Sequence, residues 1–461
     1  MKQLIMILAA AVVSAAGALW AAPKAPLTIA PTTAPTTVKH AEWTRNAVIY
    51  EVNLRQYTPE RSIKAFAKQL PQLKELGVDI LWFMPIFPIS ELNRKGELGS
   101  YYAVQDYKDV NPEFGSLYDF KKMVRQAHAL GLKVILDWVP NHSGCDNLWV
   151  TEHPDWYARN DKGEMFGPYD WTDVYKFDYS RQGLRDAMRD AFLFWIKEAD
   201  VDGFRCDVAF EVPTDFWEWL RPQLNAQKEV FMLAEADTPD LVANAFDALY
   251  NWPMRNVQDG IGATMGQNNR ATDKTPRLHA AAIDDLLIEQ AGKYAADSYM
   301  MNMITNHDLN SWEGTEFDRY GEGVRTFAVL EYTLPGMPLI YTGQEVGWNH
   351  AFEFFVNDVT PNWTKNDTFE FYRCLNSIKH SESALQAGTK GAPMVRYLTK
   401  SADAYIFSRG DLLIMLNLSD RPVDVKYTGA KPAKTQATDL LTGKAQKIPT
   451  RLNPWEYHIF K

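Results

Sequence analysis

The pentapeptide G-F-R-C-D, Gly203–Asp207, is a short apolar run that ends on an arginine and an aspartate two residues apart. Such a run with a charged tail reads as a buried parallel strand whose end emerges from the sheet. Three more segments share the construction: D-W-V-P-N-H at Asp137–His142, F-M-L-A-E at Phe231–Glu235 and N-H-D at Asn306–Asp308. Their tails bring several carboxylates, one arginine and two histidines to a single mouth. In a (β/α)8 barrel the strand C-termini build the active site. Carboxylates beside an arginine, with no Cys/His metal set, point to acid–base chemistry on a neutral polar substrate, and a sugar fits best.

Working outward, Ala47–Val52 reads as a first strand and Ser62–Leu76 as a helix. Ile63, Phe66, Leu70 and Leu73 share a face of that helix, and Gly77 ends it. Ile80–Phe83 is the second strand. Phe120, Met123, Ala127 and Leu130 mark a helix closed by Gly131, and Val134–Leu136 is the third strand. This is the rhythm of a parallel sheet. From Asn141 to about Ser180 it breaks into a long irregular insertion on the catalytic face. It resumes with helices Arg185–Glu198 and Thr214–Leu224 and strands Gly203–Cys206, Val230–Leu233, Ala248–Tyr250, Tyr299–Ile304 and Leu339–Tyr341.

After a last helix near Phe369–Ile378 come the short strands Val395–Leu398, Ala404–Ser408, Leu412–Leu418, Val423–Tyr427 and Glu456–Phe460. The expected fold is therefore α/β: a (β/α)8 TIM barrel over 43–388, a short insertion at about 141–180 and a C-terminal all-β sandwich over 389–461.

The start of the chain reads differently. Lys2, the apolar run Leu4–Leu19 and small residues at Ala18–Ala22 have the pattern of a secretory signal peptide over 1–22. The run is short for a spanning helix, and an uncleaved anchor is the alternative, disfavoured by Pro23 and the small residues. Export to the periplasm or the medium, with no membrane anchor, is expected. Residues 23–42, rich in Pro, Thr and Ala, read as an extended linker.

A net charge of −10 with no polybasic segment argues against nucleic acid as a partner. Cys145, Cys206 and Cys374 permit at most one bridge and show no metal-ligand spacing.

Glycoside cleavage needs an acid for the leaving oxygen and a carboxylate facing the anomeric carbon. Asp207 is the candidate nucleophile, because Arg205 points to the same side of its strand and is expected to hold it ionised. Glu235, after an apolar run, is the candidate acid, with burial and nearby negative charge expected to raise its pKa. Asp308 suits a grip on ring hydroxyls, and His142 and His307 can donate to them. Singly, each admits a plain structural role, as an ion pair, a cap or a loop residue. Jointly, after the third, fourth, fifth and seventh strands, they are hard to obtain by accident.

From about Ala47 onward the chain resembles the α-amylase family, glycoside hydrolase family 13. Asp137, Asn141 and His142 match its first signature, and Gly203–Asp207 its second, which places the nucleophile on Asp207; the resemblance implies substrate-binding roles for Asp137, His142 and Arg205. The third places the acid/base on Glu235, and the fourth places substrate contacts on His307 and Asp308. Tyr102, in Y-A-V-Q-D-Y, resembles the tyrosine that stacks under the reacting sugar. Phe177–Asp178 resembles the close of the family's inserted domain B, and G-M-P-L-I-Y-T-G-Q-E at Gly336–Glu345 its last-strand segment.

The resemblance implies a retaining hydrolase of α-1,4-glucosidic bonds in starch, maltodextrins or related oligosaccharides, with no cofactor required for chemistry. A 4-α-glucanotransferase or a cyclomaltodextrinase-type enzyme on the same triad is the alternative, and a non-catalytic glucan-binding protein a third reading.

The departures bear on substrate. Phe210 and Glu211 stand where many α-amylases carry K-H, and D-V-A-F-E-V-P is closer to the cyclomaltodextrinase and neopullulanase branch. Both residues are expected to face the leaving-group side, Phe210 as an apolar platform and Glu211 as a hydrogen-bond acceptor. Asn141 matches a calcium ligand of many members. The histidine whose carbonyl shares that ion is replaced by Glu211, and the D-x-N-x-D calcium loop is absent from Asn53–Arg61.

Overall fold

The computed structural model describes residues 25–262 and 277–461, so the signal-peptide reading of 1–22 lies outside the described residues. Eight parallel strands close into a barrel. They are β1 (Ile49–Val52), β2 (Ile80–Phe83), β3 (Lys133–Trp138), β4 (Gly203–Cys206), β5 (Phe231–Ala234), β6 (Ala248–Tyr250), β7 (Tyr299–Asn302) and β8 (Met337–Tyr341). Pairing runs in chain order, and β8 closes on β1 through Leu339↔Ile49. Helices cover the outside, among them Leu117–Ala129, Gln182–Ala199, Thr214–Asn225, Val324–Thr333 and Asp367–Ser381.

Alternation along each strand decides what fills the barrel. Ile49, Ile80, Ile135, Phe231, Leu233, Ala248, Tyr299, Met301, Met337 and Leu339 form one buried cluster inside it. Two residues further along several of these strands, the same inward face carries Glu51, Trp82, Asp137, Arg205 and Tyr250. Register aligns them, with Glu51 beside Trp82 and Asp137 beside Arg205. Gly203 has no substitute at the foot of β4: a Cβ there would lie 1.9 Å from the Phe231 carbonyl oxygen.

Several elements differ from their sequence reading. The helix read over Ser62–Leu76 is two helices, Ile63–Phe66 and Leu70–Leu76, joined by a 3-10 turn at Ala67–Gln69. Pro71 cannot donate to the preceding turn, which tightens ahead of it. The insertion is not wholly irregular, since His142–Gly144 and Val174–Lys176 pair as an antiparallel ribbon.

Within the stretch read as a linker, the described residues 25–42 are not free either. Leu27–Ile29 joins the C-terminal sheet as a strand against Met394–Tyr397. Thr36 and Thr37 then donate to carbonyls at Val242 and Ala243. The C-terminal domain is a seven-stranded sheet, antiparallel in every pairing, with a two-stranded ribbon, Val423–Asp424 with Arg451–Leu452. Val423 and Leu452 pack on Ile406, Met415 and Phe460 of the sheet. No described helix is long and apolar enough to cross a membrane.

Candidate active site

The site is the layer above the barrel core. Arg205, fully buried on β4, is its hub. Its Nη1 lies 2.8 Å from Asp137 Oδ1 and 3.0 Å from Asp207 Oδ1, and its Nε donates to the Tyr250 hydroxyl at 2.9 Å. Nη2 lies 3.1 Å from Glu235 Oε2, an ion pair without hydrogen-bond alignment. The rings of Trp82, Tyr102 and Tyr250 surround the guanidinium at 5.2 to 5.7 Å. A delocalised cation boxed by aromatic faces and carboxylates stays charged when dry.

Asp207 and Glu235 end adjacent strands and both reach the Arg205 guanidinium, at 3.0 and 3.1 Å. Burial, then the charge of Glu235, pushes Asp207 well above the usual carboxylate range. Against burial, Arg205 and the Val208 N–H, 2.8 Å from Oε2, hold Glu235 below it. This reverses the sequence expectation, in which Arg205 would ionise Asp207 and burial would protonate Glu235. The reason is geometric: Arg205 reaches both groups, while the Val208 N–H serves Glu235 alone. Two carboxyls held by one guanidinium share one proton, and their titration belongs to the pair. Val208 is itself strained, a β-branched residue in the left-handed region at φ 42°, which costs about 1–3 kcal/mol.

The opposite wall is a second network. Tyr102 Oη lies 3.1 Å from Asp137 Oδ2 and 2.8 Å from His307 Nε2. His307 Nδ1 faces Glu51 Oε1 at 2.5 Å. The Trp82 indole N–H donates to Asp137 at 3.1 Å. Burial raises Asp137 to about 6, with Arg205 and His307 opposing it. Burial lowers His307, but Asp308 and Glu51 outweigh it and carry the ring up to about 9. Asp308 sits 3.5 Å from His307 Nε2 with its side chain 38% exposed, the most open of the three triad carboxylates.

The structure thus brings together Tyr102, Asp137, Arg205, Asp207, Glu235, His307 and Asp308. His142 is buried and held neutral, its pKa lowered to about 3 by burial and then by the Lys176 charge. Phe210 stands at the rim, 50% exposed, so it does not pack under the next helix. Glu211 does not present a free acceptor, because Lys176 Nζ lies 2.8 Å from one oxygen and Tyr169 Oη 2.5 Å from the other.

That ammonium also bears on calcium. Lys176 pairs across the ribbon with His142, next to Asn141, whose carbonyl accepts the Phe177 N–H. A lysine at this junction repels a divalent cation, and Asn141 with Glu211 does not form a fitting calcium cradle. The sequence reading missed Glu51, Trp82, Tyr250 and an aromatic wall of Trp312, Phe354 and Phe355, which continues from Tyr102. A charged residue inside the apolar run I-Y-E-V was the available signal for Glu51.

Comparison with known proteins gives a consistent picture. The model of the α-amylase catalytic domain matches residues 62–177 and 150–384. α-Amylase MalA of Haloarcula japonica is 27% identical over 87% of this chain and 59% of its own length. A cyclomaltodextrinase of Thermoanaerobacter pseudethanolicus is 24% identical over 76% of this chain and 66% of its own. The chain thus spans roughly three fifths to two thirds of the length of these relatives. Among solved structures, an α-amylase from Lactobacillus plantarum superposes with TM-score 0.79 at 29% identity, covering 91% of this chain and 99% of that one. The maltogenic α-amylase AmyB of Thermotoga neapolitana gives 0.76 at 28%, over 90% and 96%.

Proposed function

Because the chain belongs to the α-amylase family, we propose that it is a retaining hydrolase of α-1,4-glucosidic bonds in starch, maltodextrins or related oligosaccharides. One observation carries the retaining assignment: a single guanidinium, that of Arg205, contacts Asp207 at 3.0 Å and Glu235 at 3.1 Å. Inverting enzymes keep their carboxyls about 6.5–9.5 Å apart to seat a water. Two carboxyls gripped by one guanidinium are held too close to seat that water, so the second carboxylate acts as the nucleophile.

In the proposed reaction the proton shared by the pair moves to Glu235 as a glycosidic oxygen enters between them. Glu235 then gives that proton to the leaving oxygen, while an Asp207 oxygen bonds to the anomeric carbon. In the second half Glu235 takes a proton from water, whose oxygen displaces Asp207. Asp308 and His307 grip the ring hydroxyls, and Tyr102 lies beneath the ring.

Product analysis on maltoheptaose, β-cyclodextrin, pullulan and sucrose tests the reading. Shorter oligosaccharides released first as the α-anomer from maltoheptaose are expected. Release from sucrose alone, or from none of the four, would refute it.

A second reading, glucan transfer, is favoured by the exposed face of Phe210 on the leaving-group side. Phe210→Ala is expected to raise the ratio of hydrolysis to transfer by about 3- to 10-fold, the loss of one stacking contact. Chromatography of products at high maltotriose concentration reads this ratio. An unchanged ratio would remove Phe210 from the acceptor site.

A further inference from the structure

Glu51 is fully buried on the inward face of β1, and its carboxylate has a single client among the described residues. Oε1 faces His307 Nδ1 at 2.5 Å and Oε2 lies 3.3 Å from the His307 backbone N–H. An apolar side chain would fill the barrel at lower cost than a desolvated carboxylate. The charge is therefore spent on that one ring.

Hydrogen-bond accounting fixes what it does there. Asp137 accepts from Arg205 and Trp82, so it behaves as a carboxylate, and the single hydroxyl proton of Tyr102 goes to it. Tyr102 can then only accept from His307, which requires a proton on Nε2. Nδ1 faces Glu51 and carries a proton as well. We propose that Glu51 is a positioning residue that fixes His307 as a doubly protonated imidazolium, its Nε2–H aimed at Tyr102 and the hydroxyls of the reacting sugar.

The groups facing the ring are Glu51 on β1, Asp308 beside it, Arg205 on β4, Asp137 on β3, Glu235 after β5 and the Tyr102 hydroxyl. Only Arg205 among them is cationic. The location of His307 in a sugar site rests on the hydrolase reading, whereas its protonation does not.

Histidine ring 15N NMR therefore provides the test, with the signal assigned by its loss in His307→Gln. At pH 7.5 both ring nitrogens of His307 are expected at imidazolium shifts in the full-length protein, with no glucan present. A neutral tautomer there would overturn the proposal whatever the enzyme hydrolyses.

In Glu51→Gln the ring keeps Asp308 but loses its other anionic neighbour, so its pKa falls from about 9. kcat/KM on maltoheptaose should fall about 10- to 100-fold at pH 7.5 and recover as pH drops, the alkaline limb having moved down from near pH 9 in the wild type. Glu51→Asp should restore the imidazolium signal and part of the rate. A Glu51→Gln enzyme with the wild-type profile would overturn the proposal. If that variant does not fold, the wild-type spectrum still decides.

Discussion

Asp207→Asn is expected to lower kcat on maltoheptaose by about 10,000-fold or more while the protein keeps its fold. Removing a nucleophile that forms the covalent intermediate costs on the order of four decades, which corresponds to about 5.4 kcal/mol of barrier. Retention of fold follows from the surroundings. Arg205 keeps Asp137, Glu235 and Tyr250 as partners, and an Asn oxygen still accepts from Nη1. Kinetics beside a thermal melt separates the two effects. Near-normal turnover would remove Asp207 from the chemistry, and an equal collapse of melting temperature would make its role structural. The wild-type reaction followed by NMR should give α-product first, and β-product first would exclude double displacement.

Glu235→Gln should be almost as damaging on natural glucans, about 100- to 10,000-fold, yet mild for the first step with a glycosyl fluoride. Fluoride leaves without a proton, so the acid is dispensable there, while the second step still lacks its base. The variant should therefore accumulate a glycosyl adduct on Asp207 that intact-protein mass spectrometry detects. Equal loss of the first step on both substrates would mark Glu235 as structural.

The pH dependence has a definite sign. Burial and then the Glu235 charge lift Asp207. Removing that charge leaves burial opposed by Arg205, so the Asp207 pKa falls and the acid limb of the fluoride reaction moves to lower pH.

The barrel was legible because its strands are apolar runs with charged ends, a pattern that survives without any contact information. Asp207 and Glu235 were legible for the same reason, being tails. Glu51 was not, because it sits inside its run, and only the inward alternation Ile49, Glu51 reveals that it shares a face with Asp137 and Arg205. Which carboxyl of the pair holds the proton depends on ångström distances between neighbouring strand ends, which spacing along the chain does not encode. The Lys176–Glu211 pair escaped for a related reason, since it exists only once the ribbon at 142–176 has folded back over the end of β4. Trp252–Gly262 and Ala281–Lys293 are helices that the strand-led reading passed over.

The strand at Leu27–Ile29 makes the order of synthesis matter. Its partner Met394–Tyr397 lies roughly 370 residues downstream, so in a chain made from N- to C-terminus the first strand among the described residues is among the last to be satisfied. Throughout that interval Leu27–Ile29 has no strand to pair with, and an unpaired strand edge invites pairing between molecules. The same residues act as a latch once seated, tying the earliest and latest parts of the polypeptide into one sheet. Cutting the chain between Ile29 and the barrel would leave every active-site residue in place while freeing the latch. The resulting protein would be whole in its chemistry and prone to self-association.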